Sequence, residues 1–281
     1  MADTAVNVSV SRTPRSTVAR LASLARAEFM LAGRNKLVMF IAFLVPILPM
    51  MPMFSLHSAG KLDTKMSSLL IGGSMAAILL FVIFVNLVPT FVARREELVL
   101  KRLRTGECSD LEILTGIAIP AFSISAVLML GISLVTVLGL KQAVPVNPLL
   151  LLIALAGGCL VFTALSLATS VFTKNSEAAQ LTSLPVMLIC MLGAGLAPLR
   201  SLPGNTLAAM PEWVGMVVQY TPLAPSVELT QLGWSGLSAG GATVDFAGSF
   251  AHAWQPTLTL LVWTVIGAVV ARKYFRWEPR V

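Results

Sequence analysis

The stretch MSSLLIGGSMAAILLFVIFVNLVPTFVA, residues 66–93, contains no Asp, Glu, Lys or Arg. RREELVLKRLR, residues 94–104, follows at once and is the densest charge cluster in the chain. A helix rises about 1.5 Å per residue and a bilayer core is about 30 Å thick, so roughly 20 apolar residues cross it. Residues 66–93 are long enough to span, and the charges after them belong at the membrane face. Five other stretches have the same character: Leu37–Leu56, Ile113–Leu140, Leu149–Phe172, Ala178–Leu199 and Ala253–Ala271. They predict an all-α integral membrane protein with six transmembrane helices.

Composition agrees. Of 281 residues, 56% are apolar and 12% charged, where a soluble domain carries about 25% charge. This excludes a water-soluble enzyme, and it excludes a nucleic-acid-binding domain despite a net charge of +7. Leu37–Leu56 starts well inside the chain and no small-residue cleavage site closes it, so it reads as a span and not as a signal peptide. Pro46, Pro49 and Pro52 predict a kink in its outer half. Cys108, Cys159 and Cys190 lack metal-like spacing and read as packing residues.

Cations set the orientation. With the N-terminus inside, sixteen of the 20 Lys and Arg residues fall in cytoplasmic segments, and only Lys61, Lys65, Lys141 and Arg200 face out. The positive-inside rule therefore places both termini in the cytoplasm. Membrane-impermeant labelling of intact cells is expected to reach Lys61→Cys and Ala239→Cys but not Arg102→Cys or Arg276→Cys. Reaction at Arg102→Cys from outside would reverse this topology.

Two connections are long: the inner segment 94–112 and the outer region 200–252. Within the outer region, Pro211–Tyr220 and Leu223–Trp234 are mainly apolar but too short to span, and they predict two re-entrant half-helices before span 6. Trp213, Tyr220, Trp234 and Trp254 are then expected at the outer interface, where amphipathic rings collect.

The inner segment carries the function. Glu97 and Lys101 stand at i,i+4 in the favourable order, and Leu98, Val99, Leu100 and Leu103 give this short helix a partly apolar surface. Thr105-Gly106 stops it, and Ser109 with Glu112 three residues on forms a capping box for span 3. Lipid head groups account for the cations. They do not account for Glu96, Glu97, Glu107 and Asp110, and mixed signs on a membrane-parallel helix suit a folded protein partner.

Arg95-Glu96-Glu97-Leu98-Val99-Leu100-Lys101-Arg102-Leu103-Arg104, together with Glu112-Ile113-Leu114-Thr115-Gly116, resembles the coupling-helix region of type-2 ATP-binding-cassette (ABC) export permeases, the daunorubicin-resistance-like subunits among them. Six spans, the inner loop after the second and the outer half-helices extend the resemblance along the chain. So does Asn175-Ser176-Glu177-Ala178-Ala179-Gln180 before span 5; Gly106-Glu107-Cys108 departs from the family's usual turn.

The resemblance implies a multi-pass subunit of the plasma or inner membrane, connected with multidrug or antibiotic resistance. It would pair with a second copy, commonly as a homodimer, and dock a separate ABC ATPase that binds ATP and Mg. Arg94, Arg95, Glu96, Glu97, Lys101, Arg102 and Arg104 would form the ATPase-coupling contact. Residues 1–36 would be a cytoplasmic tail and membrane-surface helix, with Val18, Leu21, Ala22, Ala25 and Phe29 at helical spacing. Residues 37–281 would be one six-span domain.

Other classes lack their chemistry. No G-x-x-x-x-G-K-[ST] loop occurs, so this chain has no P-loop for ATP, and no cofactor is expected in it. An ion-coupled carrier or channel usually keeps an ionisable residue within the bilayer; the six stretches have none. An intramembrane CAAX-type protease needs histidines beside its glutamates, and His57 and His252 fall in outer loops, across the membrane from Glu96 and Glu97. Phe54, Asn86, Met187 and Met191 are the candidate substrate path, for an amphipathic or hydrophobic drug, lipid or peptide. Ser123, Ser125, Ser133 and Thr136 read as hydroxyls bonded to their own helix.

Overall fold

The computed structural model describes residues 17–34, 36–97, 109–196, 212–238 and 242–274. They are helical throughout, apart from turns and one isolated bridge between Leu237 and Thr243. Six helices are long and apolar enough to cross a membrane: Met39–Ser58, Thr64–Glu96, Asp110–Gly139, Pro148–Phe172, Ala179–Leu196 and Phe246–Tyr274. Each contains or closely overlaps one of the six apolar stretches, and they are called spans 1 to 6 here. Of the short coupling helix expected within Arg94–Arg104, residues 94–96 continue the helix of span 2, and the part from Leu98 on, with its stop at Thr105-Gly106, lies outside the described residues.

Proline chemistry shapes span 1. Its helix Lys36–Ile47 passes into a 3-10 turn over Leu48–Met50 and restarts as Met51–Ser58, with Pro52 in the first turn where its missing N–H costs nothing. Span 2 starts on Asp63, whose carboxylate accepts the Met66 N–H at 2.7 Å. It widens into a π-helical segment at Ile78–Phe84 and continues as Val85–Glu96. Span 3 opens on the predicted capping box: the Ser109 N–H donates to Glu112 Oε2 at 2.7 Å, and the Glu112 N–H donates to Ser109 Oγ at 3.3 Å.

Span 2 is the centre of the bundle. In its most apolar window 67% of residues are buried, against 22% in spans 1 and 5. Edge-to-face packing of Phe84 on Phe162, with centroids 6.1 Å apart, joins it to span 4. Spans 4 and 6 approach closely because Gly267 lies over Ala164, where an added Cβ would come within 2.8 Å of the alanine methyl. Outward-facing Val127, Leu130, Leu138, Leu188, Leu192, Val265 and Val269 stay exposed, as lipid-facing side chains should.

Both half-helices are present, over Glu212–Gln219 and Ala224–Ser235. The second is buried along most of its length against spans 2, 4 and 6. Its C-terminal carbonyls are held by the start of span 4: the Asn147 N–H donates to Gly233 O at 2.8 Å and the Val146 N–H to Trp234 O at 3.2 Å. Gly236 then takes a left-handed turn at φ 67°, and the Val244 N–H returns to its carbonyl at 2.9 Å.

Two expectations need correction. Trp234 is 1% exposed, inside the bundle and away from any interface, while Trp213, Tyr220 and Trp254 are exposed. His57 and His252 belong to helices and not to loops, in the last turn of Met51–Ser58 and the second turn of span 6, and both side chains are exposed. On the N-terminal helix Thr17–Arg34 the apolar positions divide between the bundle and the outside. Val18, Ala22 and Phe29 are exposed, whereas Leu24 packs on Gly116 and Ala25 is buried. The four span 3 hydroxyls do bond their own helix, each to the carbonyl four residues back at 2.8–2.9 Å.

Candidate functional site

Residues 94–97 close span 2, and successive positions on a helix point about 100° apart. Four charged side chains in sequence therefore reach different neighbours. Arg94 turns to the N-terminal helix, where its guanidinium grips Glu28 with both edges: Nε to Oε1 at 2.9 Å and Nη2 to Oε2 at 2.8 Å. Its Nη1 donates to Glu97 Oε2 at 2.9 Å. The Arg94 and Glu28 side chains are only 14% and 15% exposed, and Glu97 is 55% exposed.

Arg95 turns the other way and is 1% exposed. Its Nη1 donates to Ser170 O at 3.1 Å, and its Nη2 to Thr173 O at 2.7 Å and Lys174 O at 3.4 Å. These carbonyls end span 4, where the negative pole of a helix attracts a cation. Glu96 is exposed and accepts the Ser176 N–H at 3.2 Å. The N-terminal helix has a second anchor two turns before Glu28, where Arg20 Nη2 meets Glu112 Oε1 at 2.9 Å. Arg20, Leu24 and Glu28 therefore occupy one helical face, tied to span 3, packed on span 3 and tied to span 2.

Above this frame is a cavity of about 410 Å³, lined by Val82, Asn86, Thr90 and Arg94 of span 2, with Glu28, Gln180 and an apolar wall from span 3 among its other boundaries. Val82, Asn86, Thr90 and Arg94 succeed one another at i,i+4, so a single face of the central helix grades from apolar to charged towards its C-terminal end. Asn86 Nδ2 donates to Val82 O at 3.3 Å, and Thr90 Oγ1 donates to Asn86 O at 2.7 Å.

The predicted site residues separate accordingly. Arg94 to Glu97 form the frame, and Lys101, Arg102 and Arg104 lie outside the described residues. Of the substrate-path candidates, only Asn86 lines the cavity. Phe54 and Met191 are exposed elsewhere, and Met187 packs half-buried against the core. Sequence reasoning missed Arg20, Glu28 and the carbonyls of Ser170 and Thr173. Glu28 did leave a signal, as the sole acid among the cations between Arg12 and Lys36.

No curated protein and no solved structure matches this chain. The profile of a family described as ABC-2 type transporter does match, over residues 19–230. That range runs from the N-terminal helix through the inner connection and into the second half-helix, and it contains the whole ion-paired frame. A six-span membrane chain matched over that length is a permease domain without an ATPase site: it belongs to the ABC-2 type transporter family.

Proposed function

We propose that this chain is one half of the membrane pore of an ATP-driven exporter. A separate ABC ATPase, carrying ATP and Mg, docks on residues 94–112, with Glu96, Glu97, Lys101, Arg102 and Arg104 as the contact. Arg94 and Arg95 belong to the inward side of the same segment. A second copy, in a homodimer, completes the pore. The cargo is an amphipathic or hydrophobic drug, lipid or peptide, and Asn86 stands on its path.

The convergence at the end of span 2 carries this reading. The most buried span ends in three charged residues, of which Arg94 holds the N-terminal helix and Arg95 and Glu96 hold the segment between spans 4 and 5. A force applied just beyond Glu97 would therefore reach most of the cytoplasmic face. An ion-coupled carrier would need an ionisable residue within the bilayer, and none of the six apolar stretches offers one.

The test is mild-detergent purification of the tagged chain from its native membrane, with mass spectrometry of what accompanies it. An ABC ATPase at one copy per permease is expected, with ATP turnover in the complex and none in the chain alone, because no phosphate loop is encoded. Saturable ATP binding by the isolated chain would overturn the reading.

A further inference from the structure

Arg94 and Arg95 are adjacent in sequence yet bind different bodies. Arg94 reaches Glu28 of the N-terminal helix, and Arg95 reaches the terminal carbonyls of span 4. We propose that Arg95 is a positioning residue that passes movement of the cytoplasmic segment into spans 4 and 5, while Arg94 passes it separately into the N-terminal helix. This rests on the ATPase docking at residues 94–112 proposed above, and it divides that single input into two outputs.

Three observations support the division. Arg95 contacts three carbonyls through two nitrogens of one planar group. A guanidinium fork fixes donor directions in a way that a flexible ammonium does not. The connection behaves as a strut and not as a tether.

The contacts of Arg95 also continue into span 5. Thr173, whose carbonyl Arg95 holds, donates its Oγ1 hydrogen to Thr169 O or Thr182 Oγ1, at 3.0 and 3.1 Å, and Thr182 lies in the first turn of span 5. Glu96 adds a parallel hold on the same loop at the Ser176 N–H, and Asn175 Oδ1 accepts the Ala178 N–H at 2.9 Å. The end of span 4, the loop and the start of span 5 therefore move with Arg95.

The two arginines also differ in solvent access. Arg95 is 1% exposed, so ions cannot screen its contacts, whereas the Arg94–Glu28–Glu97 group reaches water through Glu97. A plain helix cap would explain the carbonyl contacts of Arg95 equally well, so the experiment has to read motion and not stability alone.

The full chain is expressed with its ATPase in a background with Cys108, Cys159 and Cys190 replaced. Single spin labels are placed at Phe172→Cys, at the inner end of span 4, and at Met30→Cys, on the N-terminal helix; the native side chains there are 62% and 60% exposed. Label mobility is compared with and without a non-hydrolysable ATP analogue, alongside export. In the unaltered chain both labels are expected to respond. In Arg95→Gln the Phe172 response should fall at least tenfold and export with it, while the Met30 response and the bound ATPase persist. Arg95→Lys keeps the buried charge and should fold with an intermediate Phe172 response, which covers the case in which Arg95→Gln fails to fold.

Undiminished responses and export in both variants would overturn the proposal. So would equal loss at both labels with the ATPase still bound, since Arg95 would then be only structural. If the unaltered chain binds no ATPase, the docking reading fails first and this proposal falls with it.

Discussion

Gly236→Ala is expected to prevent accumulation of a folded chain, whereas Gly60→Ala, at nearly the same backbone angle, should be tolerated. Both glycines have positive φ, 67° and 65°. A non-glycine residue pays about 1–2 kcal/mol for that region in either place. The surroundings separate them. A Cβ at Gly60 meets nothing within 4 Å, whereas one at Gly236 would run into the carbonyl of Val244 and come within 3.3 Å of its carbon. Those atoms are backbone, and the Val244 N–H is already bonded to the Gly236 carbonyl at 2.9 Å, so nothing can move aside without opening the turn. The total should exceed about 4 kcal/mol, in the range of exceptional single-residue losses. Thermal unfolding and monodisperse yield in detergent would measure it. Equal losses in the two variants would show that the turn tolerates a side chain and that φ alone matters.

Arg94→Glu should have the next largest effect. It leaves Glu28, 15% exposed, facing a carboxylate in place of a guanidinium. Removing one partner from a largely buried pair costs about 3–5 kcal/mol, because the other charge remains unpaired. The N-terminal helix should then come loose at its Glu28 end, retaining Arg20 on Glu112 as an anchor. Protease cleavage after Arg34 would report the release. The exchanged double variant Arg94→Glu/Glu28→Arg restores one attraction but sets the new carboxylate beside Glu97, so it should recover most and not all of the stability. A double variant no better than the single one would mean that the pair is incidental.

Features governed by neighbouring residues were legible in the sequence. The spans followed from length and polarity, the bend in span 1 from Pro46, Pro49 and Pro52, and the opening of span 3 from Ser109 and Glu112. The half-helices were legible from apolar runs too short to cross. Pairings between distant segments were not: Arg94 with Glu28 and Arg20 with Glu112 join residues 66 and 92 positions apart, and no periodicity encodes such distances. Arg95 illustrates the limit. Its neighbours marked it as part of a surface docking contact, yet among the described residues it is the charge that the fold encloses most completely. Trp234 misled for a related reason, since an aromatic at the end of an apolar run suits a lipid interface and a protein interior equally. The π-helical segment at Ile78–Phe84 was not legible, since its run of apolar residues reads like any other helical turn.

The buried half-helix Ala224–Ser235 has a consequence for how the protein is made. At about 1.5 Å per residue its 12 residues are far shorter than a bilayer core, so the lipid alone cannot hold it in place. Its seat is built from spans 2 and 4, synthesised before it, and from span 6, synthesised after it. The burial of this segment is therefore complete only once span 6, which follows it in the chain, has joined the bundle.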